Sequence, residues 1–479
     1  MEDNLSLFTS KIKDAFALSP LFYISNDPER ALGLEELIPN FHIVHIDSSQ
    51  YLDDFKTKNI QYFCWQEHLS PETNVFRSSY RLLSSREFQE YFNANKKDKN
   101  YIQTFKISPA FEKKVAELGA ILLNTTAAKN RLFENKLSQF QELSKLPISL
   151  PLGGVYNLSG IEHDKLVREL GSKYVIQFDR GHTGSGTVFV DSPSALLQLK
   201  EKFPERWVKA SEYVVGVAYT LNGVVGSNGI YLGGLSRQIT GDQVLTPLTG
   251  ATIGNDFGYR TELKTGHQKI EQEAVIIGNA MLEKGYRGLF GLDLIVLADG
   301  SHKFIEINAR QPASIPMFTK MQLMAGQVPL TMIHLAEFLG LPYNLNQESY
   351  NAQALQPMNY AQVFVRAFHE YQLQFPVRSG VYRLQGDNAA IDRPTAVVKP
   401  DTIFLDEERD KALLFQKDGY SITDLDEGGF LILTPAKGRQ IKINEELGRI
   451  QLKGSAFLPD GQLLSWIRDS LTAIKHYQR

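Results

Sequence analysis

The sequence contains a single cysteine, Cys64, which excludes a disulfide within the chain. Histidine and cysteine never occur at the short paired spacings typical of zinc sites, and no internal repeat is present. No stretch is long and apolar enough to predict a membrane-spanning helix. The first residues, MEDNLSLFTSKIKDAF, are acidic and amphipathic rather than basic and then apolar. We therefore expect no signal peptide and a cytoplasmic location.

The sequence also lacks a strong charge of either sign. The formal net charge is −3, and no long block of lysine and arginine occurs. Both features argue against nucleic acid or an anionic membrane as the main partner. The content of 43% hydrophobic and 22% charged residues is typical of a soluble globular protein.

Apolar patterns divide the 479 residues into roughly three domains. Residues 1–123 alternate short apolar runs with helical stretches, which predicts a small α/β domain with a parallel sheet. Residues 124–340 include NRLFENKLSQFQELSKLPISLP, whose spacing predicts a helix ending before Pro147, followed by strands and further helices. Residues 341–360, rich in Asn, Gln and Pro, predict a linker, and residues 361–479 predict a small β-rich domain.

The segment GLFGLDLIVLADGSHKFIEINARQPAS, residues 288–314, places polar side chains at alternating positions of an apolar run. Its second half, residues 303–310, predicts a strand. Successive side chains of a strand point to opposite faces, so Glu306, Asn308 and Arg310 are expected on one face.

A second predicted strand, LFGLDLIVL, precedes it, and Asp299-Gly300 lies between the two. Asp-Gly is favoured in two-residue hairpin turns, where both central residues need φ above zero. Counting back from such a turn places Asp293 directly opposite Glu306.

Two carboxylates opposed across a hairpin destabilise it unless a cation lies between them. Asp293, Glu306 and Asn308 offer only oxygen ligands, which suit a hard ion such as Mg²⁺. Magnesium normally keeps some waters and binds substrate phosphates as well. The alternative interpretation is a solvated hairpin face without a metal.

The stretch KYVIQFDRGHTGSGTVFV, residues 173–190, is a glycine-rich turn between two predicted strands. It is not a P-loop, because Thr187 stands where that motif requires lysine and a strand follows instead of a helix. Such a turn can direct its backbone N–H groups at phosphate oxygens. An ordinary flexible hairpin is the alternative. The candidate nucleotide ligands are Gly181, Gly184 and Gly186, with His182, Thr183 and Ser185 as side-chain donors.

These two stretches, in this order and about a hundred residues apart, resemble the ATP-grasp superfamily, most closely its carboxylate–amine ligases. The resemblance covers roughly residues 123–340, and EINAR is similar to the family's E-x-N-x-R metal strand. It implies an ATP-grasp fold, α/β (α+β) in class, with an N-terminal α/β domain before a two-lobed ATP-binding region. It also implies ATP and Mg²⁺ as cofactors, with Mn²⁺ able to replace Mg²⁺. The implied roles are metal binding for Asp293, Glu306 and Asn308, contact with the reacting phosphate or carboxylate for Arg310, phosphate contact for Lys136, and backbone contact with adenine for Glu212, Tyr213 and Val214.

The sequence departs from the family pattern at three positions, one of which is Gly291, where some relatives carry an arginine two positions before the metal aspartate. Gln177 stands where many members have a second lysine before the glycine loop; its amide can bind phosphate or adenine but carries no charge. Ala218 stands where the family often has a glutamate for the ribose.

Residues 235–260 are polar and glycine-rich without clear periodicity. We interpret them as a substrate-facing loop, with an ordinary surface loop as the alternative. The candidate substrate ligands are Arg237, Gln238, Asn255 and Arg260.

The resemblance implies a ligase that activates a substrate carboxylate as an acylphosphate, forming ADP, and then joins it to an amine or similar nucleophile. The expected partners are a small-molecule carboxylate and an amine, without nucleic acid or membrane, and a homodimer is left open. Gln177 and Ala218 leave open a non-catalytic ATP-binding interaction module of the same fold. A carboxylase that uses bicarbonate is a third alternative, although no segment resembles a biotin carrier.

Overall fold

The computed structural model describes residues 4–70, 77–179, 186–264, 266–385, 402–405 and 411–478. Its first part is a parallel sheet with strand order β3-β2-β1-β4-β5 and helices around it. This arrangement confirms the parallel sheet predicted from the apolar runs. The elements are α1 (Asn4–Phe16), β1 (Leu21–Ser25), β2 (Phe41–His45), α2 (Leu52–Thr57), β3 (Gln61–Cys64), α3 (Ser79–Ser84), α4 (Arg86–Asn95), β4 (Tyr101–Thr104), α5 (Pro109–Glu117) and β5 (Ile121–Leu122).

Two helices lead into a small antiparallel sheet of order β6-β9-β7-β8. Helices α8 and α9 cover one face of this sheet, where alternate strand residues such as Ile176, Val208 and Ala210 form a separate core. The elements are α6 (Ala127–Glu134), α7 (Lys136–Leu143), β6 (Gly153–Asn157), α8 (His163–Leu170), β7 (Tyr174–Phe178), β8 (Thr187–Val190), α9 (Pro193–Lys202) and β9 (Trp207–Glu212).

The remaining long strands form one antiparallel sheet of eleven strands, of order β14-β13-β10-β11-β12-β15-β22-β20-β17-β19-β18. Its first half contains β10 (Val217–Val225), β11 (Ile230–Thr240), β12 (Thr252–Asp256), α10 (Gln268–Glu283), β13 (Gly288–Val296), β14 (His302–Asn308), α11 (Ile315–Met324), α12 (Leu330–Leu339) and α13 (Gln347–Ala354). Helix α13 lies within the segment 341–360 that was expected to be a linker, and its Asn351 side chain accepts from the backbone N–H of Leu232 in β11 at 2.8 Å.

The C-terminal strands continue the same sheet, since β15 pairs with β12. Helix α14 packs on β15 and β22 around Ile467, Leu471 and Ile474. The elements are β15 (Tyr360–Arg366), β16 (Tyr371–Gln372), β17 (Gly380–Gln385), β18 (Thr402–Phe404), β19 (Ala412–Lys417), β20 (Phe430–Leu433), β21 (Gln440–Ile441), β22 (Glu446–Lys453) and α14 (Ser465–Tyr477). Among the described residues, no helix is long and apolar enough to span a membrane.

Candidate active site

Asp293 of β13 lies opposite Glu306 of β14, which confirms the predicted pairing of the two carboxylates. The predicted two-residue turn is wrong, however. The N–H of Leu297 bonds to the carbonyl of Ser301 at 2.8 Å, so the loop has three residues, 298–300, and Gly300 adopts φ +87°.

A β-bulge compensates for the longer loop. Leu294 pairs with Phe304 whereas Asp293 pairs with Glu306, so Ile305 is an extra residue on β14. Because of this extra residue, Phe304 packs into the same buried cluster as Ile307, and Glu306 does not belong to that cluster. The bulge turns Glu306 and Asn308 to the face opposite this cluster, where they meet Asp293.

Asp293 accepts three side-chain hydrogen bonds. Thr220 of β10 and Gln238 of β11 each donate to Oδ1 at 2.8 Å, and the Nδ2 of Asn308 donates to Oδ2 at 2.9 Å. Burial, followed by the charge of Glu306, raises the pKa of Asp293 to about 6. The carboxylate is thus well oriented but costly to ionise.

Glu306 has the opposite electrostatics. Burial acts to raise its pKa, but the Lys136 ammonium outweighs burial, with help from Arg310 and Lys209, so the pKa lies below its ordinary value. The Nζ of Lys136 lies 2.7 Å from Oε2 of Glu306. Glu306 is therefore an anion that Lys136 contacts directly and that the charges of Arg310 and Lys209 also stabilise.

Lys136 is the first residue of α7, and Asn135 caps that helix. The Oδ1 of Asn135 accepts from two backbone N–H groups of the first turn, at 3.0 and 3.2 Å. The prediction of one helix ending before Pro147 is wrong, because this cap ends α6 at Glu134 and starts α7. The cap places Lys136 toward β14.

Lys209 of β9 was missed from the sequence. It is 4% exposed, and its Nζ donates to the backbone carbonyl of Ile305, the bulge residue, at 3.2 Å. Burial, followed by the charge of Lys136, lowers its pKa to about 8. Alternation within WVKASE places Lys209 on the face opposite Val208 and Ala210, so the sequence carried no signal that this lysine is buried.

Arg310 lies just beyond the end of β14, because that strand ends at Asn308 rather than at the predicted residue 310. Its guanidinium forms an ion pair with Glu134, the last residue of α6. Its Cζ also lies 5.6 Å from the ring centre of Phe105, and the Cζ of Arg30 lies 4.3 Å from the same ring. Phe105 follows β4, so the carboxyl end of the parallel sheet adjoins the site, where α/β folds commonly bind ligands.

The connection from the small sheet to the central sheet begins at Glu212, the last residue of β9. The Glu212 carboxylate binds Lys303 of β14 and the backbone N–H of Leu152. The next residues, Tyr213 and Val214, lie between β9 and β10. These contacts connect the two sheets at the segment expected to contact adenine, a role that stays a prediction.

Strands β7 and β8 are antiparallel, as predicted for the strands flanking the glycine-rich turn. Gly186 accepts from the backbone N–H of Phe178 at 3.0 Å, closing the hairpin. Gln177 pairs with Thr187, and its Nε2 donates to the Thr187 hydroxyl at 3.2 Å. The predicted phosphate ligands Gly181, His182, Thr183, Gly184 and Ser185 lie outside the described residues.

The candidate substrate segment, residues 235–260, is a loop only in part. Residues up to Thr240 complete β11, and residues 252–256 form β12, because the two strands pair with each other. Of the four candidates, Gln238 joins the site through Asp293, and its Oε1 accepts from the Thr252 hydroxyl at 2.7 Å.

The other three candidates contact different groups. The Cζ of Arg237 lies 3.8 Å from the ring centre of Phe457, and Asn255 donates to the Ser236 hydroxyl at 3.1 Å. Arg260 donates to two backbone carbonyls, and burial lowers its pKa to about 10. Their substrate roles stay predictions.

The donor set of the site fits a hard divalent cation. Among the described residues, no group of three or more His, Cys, Asp or Glu side chains could hold a metal. Asp293 and Glu306 supply two carboxylates and Asn308 an amide whose oxygen is not used in its bond to Asp293. Because Mg²⁺ commonly takes one or two carboxylates together with substrate phosphates, these oxygens fit an ion that arrives with a nucleotide.

Comparison with protein families matches residues 133–314 to the ATP-grasp domain. No curated protein matches the chain. The matched segment contains both the glycine-rich turn and the hairpin of Asp293 and Glu306.

Several solved structures share the fold over nearly the whole chain. The carboxyaminoimidazole ribonucleotide synthase of Aspergillus clavatus, complexed with ATP, is 13% identical, with a TM-score of 0.51 and coverage of 96% of this chain and 99% of that chain. The biotin carboxylase domain of the Hydrogenobacter thermophilus 2-oxoglutarate carboxylase is 12% identical, with a TM-score of 0.54 and coverage of 91% and 86%. The L-amino acid ligase of Bacillus licheniformis is 11% identical, with a TM-score of 0.51 and coverage of 96% and 97%. Identities this low establish the shared fold alone.

Proposed function

Residues 133–314 form an ATP-grasp domain, and from this premise we propose that the chain is an ATP-dependent carboxylate–amine ligase. The main support is that Asp293 and Glu306 lie together with three cations, Lys136, Lys209 and Arg310. They meet where the small antiparallel sheet adjoins the eleven-stranded sheet. A site of this composition suits a magnesium nucleotide and a second anion together.

In the proposed reaction, a substrate carboxylate oxygen attacks the γ-phosphorus of ATP. The bond between that phosphorus and the β–γ bridging oxygen breaks, and ADP leaves. An amine then attacks the carbonyl carbon of the acylphosphate, the carbon–oxygen bond breaks, and phosphate leaves while the amine loses a proton. No nucleophilic side chain is required, so the work of the protein is to position the reactants and stabilise charge.

Magnesium (or Mn²⁺), held by Asp293, Glu306 and Asn308, would neutralise charge on the phosphates. In the proposal Lys136, which lies 2.7 Å from Glu306 in the structure, moves from that carboxylate to the phosphate chain when the nucleotide binds. Arg310 orients the carboxylate at the reacting end, and its neighbour Phe105 provides an apolar wall. The glycine-rich turn excludes water, which would otherwise hydrolyse the acylphosphate.

The test incubates the purified chain and MgATP with a panel of amino acids and small carboxylic acids, with and without hydroxylamine. We expect ADP and phosphate only with the correct acid, and a hydroxamate when hydroxylamine replaces the amine. Arg310→Ala should abolish hydroxamate formation while ATP affinity changes by less than about tenfold, because Arg310 serves the reacting end.

Other outcomes separate the alternatives. AMP and pyrophosphate as products would reject the proposed chemistry. ATP binding without ADP or hydroxamate for any acid would favour the non-catalytic interaction module. ADP formation that requires bicarbonate and yields a carboxylated amine would favour the carboxylase.

A further inference from the structure

Lys209 is a buried lysine at the junction of the two sheets. Its strand neighbours Val208 and Ala210 face the core of the small sheet, so Lys209 projects from the opposite face, toward α7 and β14. Its Nζ lies 5.1 Å from the ring centre of Phe140 in α7. Lysine is rarely buried this deeply without a partner that compensates its charge.

The protein itself provides little compensation. An ammonium has three donor hydrogens, and the hydrogen bond described for this one is to the neutral carbonyl of Ile305. The nearest ionic influences oppose each other, since Lys136 disfavours the charged form and Glu306 favours it. Glu306 is already bound directly by Lys136. An additional anion at this place would stabilise both lysines.

Lys209 also pairs directly with Gln177 across β9 and β7. Side chains of directly paired residues lie on the same face with Cβ atoms about 4.5–5.5 Å apart. Gln177 is the uncharged residue at the position where ATP-grasp proteins often have a phosphate-binding lysine. A lysine on the neighbouring strand therefore reaches the same space as a lysine at position 177 would.

We propose that Lys209 binds the phosphate chain of the nucleotide and supplies from β9 the positive charge that Gln177 does not supply from β7. This inference rests on the proposed ATP-dependent function. It assigns Lys136 and Lys209, from the neighbouring elements α7 and β9, to the same phosphates.

The test measures nucleotide affinity by calorimetry for wild type, Lys209→Met, and the double variant Lys209→Met/Gln177→Lys. Methionine keeps the apolar stem and removes the charge. Losing a charged hydrogen bond should weaken ATP binding by about 10- to 100-fold and adenosine binding hardly at all. The double variant should recover most of the ATP affinity because it returns a lysine to the same face. Lys200→Met, at a half-buried lysine of α9 on the other face of the small sheet, is the matched control and should bind ATP like wild type.

The outcomes are separable. If wild type does not bind ATP, the proposed function fails. If wild type binds ATP and Lys209→Met binds it equally well, the role of Lys209 is overturned while the function stands. Should Lys209→Met not fold, acetylation of wild type followed by mass spectrometry decides: ATP, but not adenosine, should slow modification of Lys209 relative to Lys200. Equal slowing by both ligands, or by neither, would overturn the inference.

Discussion

At the scale of single residues, the two facing carboxylates of the site are unequal. Asp293 is buried among neutral donors and has a raised pKa, whereas Glu306 is bound by Lys136 and has a lowered one. The hydrogen-bond partners of Asp293 are uncharged, so they tolerate its protonated form, whereas Lys136 keeps Glu306 ionised. Asp293 is therefore the carboxylate whose ionisation costs folding free energy.

This asymmetry predicts a pH-dependent effect of Asp293→Asn in metal-free buffer. An acid with a folded-state pKa of about 6 binds more protons in the folded than in the unfolded state between about pH 4 and 6. Its ionisation therefore lowers the free energy of unfolding as pH rises through that window. The uncharged amide of the variant avoids this loss and keeps its hydrogen bonds if the Asn308 amide flips. The variant should match wild type at pH 4 and melt at the same or a higher temperature at pH 7.

The measurement is thermal unfolding of both proteins with chelator from pH 4 to pH 7. Asp98→Asn, at an exposed position, is the control and should follow wild type throughout. If Asp293→Asn melts clearly below wild type at pH 7, Asp293 is a structural anion and not a poised metal ligand.

Alternation and a turn signal predicted the pairing of Asp293 with Glu306, but they did not predict the three-residue loop and the bulge that produce it. The groups that surround this pair could not be predicted from the sequence. Lys209 approaches β14 from another sheet, and Glu134 approaches Arg310 from a helix that precedes it by 176 residues. Periodicity carries no information on contacts between elements so distant in the chain.

At the scale of elements, the turn from α6 to α7 determines where Lys136 lies. Asn135→Ala removes the acceptor for two N–H groups and should lower the free energy of unfolding by about 1 kcal/mol. Because Lys136 directly follows the cap, ATP affinity should fall as well. Urea unfolding and calorimetry give the two quantities.

Ser108→Ala is the matched control, since Ser108 caps α5, a helix of the parallel-sheet part, through the N–H of Phe111 at 3.2 Å. It should cost similar stability and leave ATP affinity unchanged. Equal losses of affinity in both cap variants would show that general destabilisation, and not the placement of Lys136, weakens binding.

The hairpin of β13 and β14 predicts a contrast between two single-residue deletions. Deleting Ala298 leaves Asp299-Gly300 as a two-residue loop, which can close the same Leu297–Ser301 pair. Deleting Ile305 removes the bulge and the carbonyl that binds Lys209. Both deletion variants should remain stably folded. The Ala298 deletion should keep ATP affinity, and the Ile305 deletion should lower it. Comparable ATP affinities in both would mean that the bulge has no part in the site.

The sequence predicted the hairpin but reached the correct pairing through two errors that cancel. A two-residue turn without a bulge and a three-residue loop with a bulge both place Asp293 opposite Glu306. Both conformations are compatible with Asp299-Gly300, and only the packing of Phe304 and Ile307 in one cluster distinguishes them. Local sequence propensity carries no information about that packing, so the sequence could not distinguish the two conformations.

At the scale of the whole molecule, the N-terminal and C-terminal parts are joined by a buried ionic cluster. Asp47, which follows β2, accepts from Arg77 at 3.0 Å and lies 3.5 Å from Arg439. Arg77 also pairs with Glu445. The central sheet likewise runs without interruption from the site into the C-terminal strands.

The cluster predicts cooperative unfolding of the two parts. Asp47→Ala removes one of the two carboxylates shared by Arg77 and Arg439, while Glu445 remains, and should lower the free energy of unfolding by about 1–3 kcal/mol. Glu90→Ala, which breaks the exposed pair with Arg86, should have little effect. Calorimetry of wild type should show one transition. Two separate transitions, or a small loss for Asp47→Ala, would contradict this coupling.

The parallel sheet followed from local periodicity, whereas the fold class followed from the resemblance to the ATP-grasp superfamily. The sequence did not predict that one sheet continues through β12 and β15. These strands pair in space, but α10 to α13 and β13 to β14 separate them along the chain. Apparent breaks in composition, such as residues 341–360, therefore coincide with folded structure in α13.

The proposed reaction requires a carboxylate oxygen to become bonded to the γ-phosphorus, and oxygen isotopes show whether it does. The acid identified by the panel is labelled with ¹⁸O in its carboxylate and incubated with MgATP, the amine and the wild-type chain, and the released phosphate is analysed by mass spectrometry. The acylphosphate route predicts one ¹⁸O atom transferred from the acid into each phosphate formed, with ADP as the nucleotide product. Unlabelled phosphate, or label appearing in AMP, would contradict it.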